Sequence, residues 1–208
     1  ILLFSYLNEL TFLGKLLEVE YKKDKINRKA ITTIFDRQRE LQIIYEKKSN
    51  DMLVKHFIKA NKPYIPIKYE SISNYLKNQT SNYFENIDFS DEILQSSSLL
   101  LDKSLAYISS VVNKGFIKQK NYNYNIDKVV AKTKITNPDF QKVFLAKMWE
   151  KFVSYNQIKS ANYLAEKYLI PLANQQNDKN LALKLNQFKN LSIGNSAPDF
   201  ILDESSQK

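Results

Sequence analysis

The chain has 208 residues, 43% of them hydrophobic and 12% aromatic, with a formal net charge of +9. That apolar content rules out general disorder, and three glycines with five prolines are too few for a turn-rich all-β fold or a glycine-lined phosphate cradle. No cysteine occurs, which excludes a disulfide framework, a thiolate zinc site and cysteine catalysis within these residues.

Taken in chain order, the pattern is helical. Leu3, Leu7, Leu10, Leu13, Leu17 and Tyr21 recur in steps of three and four, so a first helix is expected over about Leu2 to Lys23. Gly14 falls inside it and is expected to mark a close helix crossing. A long second helix should start near Asn27, break at Ser49-Asn50-Asp51, resume through Met52, Phe57 and Ala60, and end at Pro63 and Pro66. A third is expected from about Lys68 to Tyr83, and a further one after Ser90, read as an N-cap with Asp91 and Glu92 in the first turn.

The pattern continues from Ser98 to Lys114, with Gly115 just past the end. Tyr122-Asn123-Tyr124-Asn125 reads as a polar aromatic linker before a short helix through Ile126, Val129 and Val130. Asn137 and Pro138 open the next helix, whose core stripe is Phe140, Phe144, Met148, Phe152 and Tyr155. Ile158, Ala161, Ala165, Tyr168 and Leu172 form a partner helix, and Leu181, Leu185, Phe188 and Leu191 the last. The expected fold is therefore all-α: about eight helices packed antiparallel in a bundle, with a short extended C-terminal segment. No period near ~34 residues is sustained, which argues against a repeat array.

Few side chains suggest chemistry. His56 is the only histidine, and Asp51, Met52 and Lys59 make no convincing ligand set or triad around it. It reads as structural. The carboxylates lie among lysines on solvated faces and none is selected as an acid–base pair. The tyrosines read as core-edge residues with hydroxyls reaching water, the alternative being a peptide groove. Only three arginines, Arg28, Arg37 and Arg39, accompany lysines spread along the chain, so nucleic acid is not expected as a partner. No catalytic, metal-binding or cofactor-binding residue is assigned. No apolar run approaches the ~18 residues of a membrane span, and no signal peptide is recognised. Ile1 is read as an internal cut, with any export signal upstream.

The C-terminal residues carry the most specific pattern. Gly194, Ala197, Pro198, Asp199, Phe200 and Leu202 form a Gly-x-x-Ala-Pro-Asp-Phe-x-Leu run. It resembles the entry segment of thioredoxin-fold proteins of the TlpA/ResA and peroxiredoxin (AhpC/TSA) type. Tyr83 to Leu94 is also similar to a segment in the helical region of cell-envelope TlpA-like proteins from Bacteroidetes. The resemblance implies a helical domain over 1–192. It also implies a linker and first strand of a truncated thioredoxin-like domain over 193–208.

On this reading the chain is the non-catalytic helical domain of a thiol-disulfide oxidoreductase in the periplasm or cell envelope. Its implied partners are a downstream thioredoxin-like domain in cis, which it would position, or that domain's protein substrate, which it would dock. The implied downstream site is Cys-x-x-Cys, or a single peroxidatic cysteine. The alternative is a stand-alone helical adaptor for a peptide or protein partner.

Overall fold

The apolar repeat that begins at Leu3 folds as α1, Leu2–Tyr21, in the computed structural model, which describes residues 1–192. Tyr6, Leu13 and Leu17 are buried on its inner face, and α1 packs along α2, Arg28–Lys48. Asn27 starts α2 by accepting a hydrogen bond from the Ala30 N–H at 3.0 Å. Ile31, Ile34, Phe35, Leu41 and Tyr45 of α2 complete a shared core with α1 and Ile58 of α3, Val54–Ala60. The break expected at Ser49-Asn50-Asp51 lies between α2 and α3. Gly14 marks no close crossing: nothing lies within 4 Å of where its Cβ would stand.

Beyond Pro63 and Pro66 the chain stays irregular until α4, Ile72–Ser81. This helix starts later than its periodicity implies because Ser71, in an extended conformation, accepts from the Asn74 N–H and sets the first turn. Asp91, not Ser90, caps the short α5, Glu92–Gln95. Its carboxylate accepts from both the Ile93 and Leu94 N–H groups, whereas the Ser90 hydroxyl turns back to Asp88. A carboxylate can satisfy two orphan donors at once. The helix α6, Leu99–Ser110, follows.

The chain divides into two compact units, Ile1–Tyr107 and a second from Ile108 onward. In the second, Tyr122 to Asn125 is not a linker but lies within α7, Lys118–Thr133. Asn121 and Asn125 are four residues apart and so share a helix face. Their amides donate to the Val111 carbonyl at 2.7 and 2.8 Å, and Asn125 also reaches the Ile108 carbonyl at 3.2 Å. Asn113 donates to both side-chain oxygens. The Ile108 carbonyl in the last turn of α6 and the Val111 carbonyl just past it are thus capped by side chains of α7. Gly115, at φ +84°, sits in the intervening turn, several residues past the end of α6.

Asn137 and Pro138 open α8, Pro138–Ser154, and the Asn137 side chain accepts from the Asp139 N–H at 2.7 Å. Phe144, Met148, Trp149 and Phe152 are buried, but Tyr155 is 60% exposed because the helix ends at Ser154. The following helix runs as α9, Ile158–Leu164, a π turn, Ala165–Leu169, and α10, Ile170–Gln175. Its buried apolar residues are Ala161, Leu164, Ala165, Leu169 and Ala173, so the face advances in steps of four past the π turn instead of through Tyr168 and Leu172. Pro171 cannot donate to the carbonyl four residues back, and the preceding Ile170 N–H bonds five back to Ala165. The last helix is α11, Lys179–Asn190, with Ala182 and Leu185 buried and Leu191 exposed.

Because α9, the π turn and α10 are continuous, the described residues form ten helices packed against one another and no strand. None is long and apolar enough to cross a membrane. The motif residues Gly194, Ala197, Pro198, Asp199, Phe200 and Leu202, and the expected C-terminal extended segment, lie outside the described residues.

Candidate functional site

In the first unit, the irregular segment between α3 and α4 forms one wall of a groove of roughly 600 Å³, with α2 opposite. Proline supplies the local reason for an extended wall. Pro63 and Pro66 cannot donate to a helix and disfavour the α region for the residues before them. Arg39 of α2 holds the wall in place by donating to the Pro66 carbonyl at 2.5 Å while pairing with Asp36. Between and beyond the prolines, Tyr64, Ile65, Ile67 and Lys68 make no backbone hydrogen bond among the described residues. Ile67 is 90% exposed.

Glu70 organises the floor. Its Oε1 accepts from the Tyr64 hydroxyl at 2.8 Å and the Asn78 amide at 2.9 Å, and its carbonyl accepts from the Tyr21 hydroxyl at 2.9 Å. Its Oε2 is buried with no hydrogen-bond partner. Tyr75 stacks between Tyr21 and Phe35, with ring centroids 5.7 and 5.6 Å away. Burial pushes the Tyr21 and Tyr75 hydroxyls up to about 12. Tyr64 is raised by burial and then by its bond to Glu70. All three stay protonated at neutral pH, and Tyr21 and Tyr64 donate to Glu70. Glu46, Glu85, Lys62 and Lys68 complete the rim. The groove thus offers free backbone groups, an exposed isoleucine and side chains of both charges. These suit an extended polypeptide aligned along the wall.

Three further tyrosines, Tyr6, Tyr45 and Tyr83, bond to protein acceptors, whereas Tyr124 and Tyr155 are exposed to solvent. Tyr6 is fully buried and donates to Gln42 at 2.6 Å, Tyr45 donates to Glu9 at 2.5 Å, and Tyr83 donates to the Lys103 carbonyl at 3.0 Å. A buried hydroxyl without a partner costs about 1–3 kcal/mol, which favours these bonds. His56 is likewise paired: its Nδ1 lies 2.5 Å from Asp91 Oδ2, tying α3 to the cap of α5. Burial opposes ionisation of Asp91, but the bonds from His56 and from the Leu94 and Ile93 N–H groups outweigh it and lower its pKa. Among the described residues no three histidine or carboxylate side chains converge as metal ligands.

In the second unit, four side chains meet at the π turn. Asp127 of α7 accepts from Tyr163 at 2.8 Å, Tyr168 at 2.7 Å and Lys167 at 2.9 Å, and Lys167 donates to the Tyr163 oxygen at 2.7 Å. A π turn and a Tyr–Lys pair are features often met at functional sites. The electrostatics here are those of a staple. An activated tyrosine needs a lowered pKa, yet burial and Asp127 raise Tyr163, and burial followed by its bond to Asp127 pushes Tyr168 up to about 12. Burial opposes ionisation of Asp127, but hydrogen bonds from Tyr168, Lys167 and Tyr163 outweigh it and hold the carboxyl below its usual value. Sequence reading missed this cluster because its members lie up to 41 residues apart. The Tyr163–Lys167 spacing was its only local sign.

Compared with protein-family models, curated proteins and solved structures, the chain has no match.

Proposed function

We propose that the helical region is the non-catalytic part of a cell-envelope thiol-disulfide oxidoreductase of the TlpA-like kind. Its groove docks an extended stretch of the protein substrate, and a thioredoxin-like domain in cis carries the cysteine chemistry. The observation that carries the docking role is the proline-bracketed wall, whose backbone groups at Tyr64, Ile65, Ile67 and Lys68 have no hydrogen-bond partner among the described residues. An extended chain laid along such a wall gains main-chain hydrogen bonds, with side-chain pockets adding specificity. The redox context rests on the resemblance of Gly194 to Leu202 and of Tyr83 to Leu94.

The docking role is tested with reduced, carboxymethylated insulin B chain as an extended, disulfide-free probe. Ile67→Asp places a charge on an exposed groove residue, and Leu183→Asp does the same on α11 as a control. The expected result is weakening by about tenfold or more for Ile67→Asp, about 1.4 kcal/mol, and no change for the control. Equal binding by both variants sinks the docking role. The alternative, a stand-alone helical adaptor, uses the same groove. The coding sequence that follows Lys208 separates the two: Cys-x-x-Cys is expected for the oxidoreductase, and an immediate stop for the adaptor.

A further inference from the structure

The chain's charge is unevenly held. Ile1–Tyr107 carries sixteen lysines and arginines against fourteen carboxylates, whereas residues 108–192 carry fourteen lysines, no arginine and five carboxylates. Four of those five carboxylates are already committed: Asp127 to Lys167, Asp178 to Lys142, Glu150 to Lys184 and Glu166 to Lys189. The surplus is concentrated on and beside α7. Lys118, Lys120, Lys128, Lys132 and Lys134 are exposed and pair with no carboxylate among the described residues.

Two of these lysines, Lys120 and Lys128, alternate with aromatic rings. The Lys120 ammonium sits 5.1 Å from the Phe116 ring centroid, Tyr124 meets Phe116 edge-on at 5.3 Å, and the Lys128 ammonium sits 5.2 Å from the Tyr124 centroid. Lys132 continues the row one turn on. Exposed aliphatic side chains flank it: Ile117 and Val112 before the helix and Ile135 after it, 75%, 82% and 70% exposed. The only carboxylate on α7 is Asp127, which Lys167 already balances.

We propose that this face of α7, with its flanking residues, docks on the surface of a bilayer containing anionic phospholipid. Lysine ammonium groups match phosphate headgroups, each contributing in a screened field. Tyrosine and phenylalanine sit well at headgroup depth, and the aliphatic residues enter the acyl boundary while lysine stems snorkel outward. Nucleic acid fits less well. No arginine is present in this unit to form a bidentate fork with phosphate or base, and Val112, Ile117 and Ile135 offer no stacking surface. The proposal does not depend on the redox reading.

The test is co-sedimentation of the full chain with phosphatidylcholine vesicles, with and without about 30% phosphatidylglycerol, at low salt and at about 0.5 M salt. Binding is expected only to the anionic vesicles and only at low salt. The triple variant Lys120→Gln, Lys128→Gln, Lys132→Gln should lower partitioning about a hundredfold, at about fivefold per lysine. A control with the same charge change in the first unit, Lys47→Gln, Lys55→Gln, Lys77→Gln, should stay near the parent value. Circular dichroism verifies that both variants are folded. The proposal is overturned by equal binding to both vesicle types, by equal loss in the control, or by capture of single-stranded oligothymidine without vesicle binding.

Discussion

Gly14 stands in the middle of α1 with open space where a side chain would be. Its backbone is helical, so glycine brings only an entropic cost there. Gly14→Ala is therefore expected to stabilise the protein by about 0.5–1 kcal/mol, read as a higher urea midpoint with an unchanged slope. Asp91 shows the opposite case, a small residue with three partners. Asp91→Ala removes the cap of α5 and the His56 contact and should cost about 1–2 kcal/mol at neutral pH. Because folding lowers the Asp91 pKa, its contribution is complete above the unfolded carboxyl value, about 4, and is lost as pH falls through the lower folded value. The gap in thermal midpoint between parent and Asp91→Ala should therefore narrow when both are melted near pH 3 instead of pH 7. An unchanged gap would show that the charge on Asp91 contributes nothing.

At the scale of elements, two features depart from local expectation for the same reason. Tyr122-Asn123-Tyr124-Asn125 has the composition of a loop, since asparagine competes with the helical backbone for hydrogen bonds. It is helical because Asn121 and Asn125 spend their amides on the end of α6. Asn125 is fully buried, and Asn125→Ala should cost about 2–3 kcal/mol in chemical denaturation, since the Ile108 carbonyl loses the Asn125 amide. A loss under about 0.5 kcal/mol would mean that water replaces the amide without penalty. The π turn before Pro171 is the second case. A straight 3.6-residue reading places Tyr168 and Leu172 in the core, whereas the extra residue per turn brings in Leu169 and Ala173 and turns Tyr168 toward Asp127.

Over the whole molecule, the charge that looks evenly spread along the sequence falls mostly in the second unit once the boundary at Tyr107 is known. The first unit holds the groove and the tyrosine network, and the second holds the lysine face and the Asp127 staple. The all-helical class, the starts of α2 and α8 and the break after Lys48 were legible in the sequence alone. They follow from interactions within a few residues: 3.6-residue periodicity, asparagine caps and proline at a first turn. The groove wall was half legible, since Pro63 and Pro66 announced an extended link but not what faces it. Only the tertiary structure decided that Glu70 gathers Tyr21, Tyr64 and Asn78, and that Asp127 gathers Tyr163, Lys167 and Tyr168. Burial obliges each hydroxyl to find a partner, but which acceptor it finds depends on how helices far apart in the chain pack.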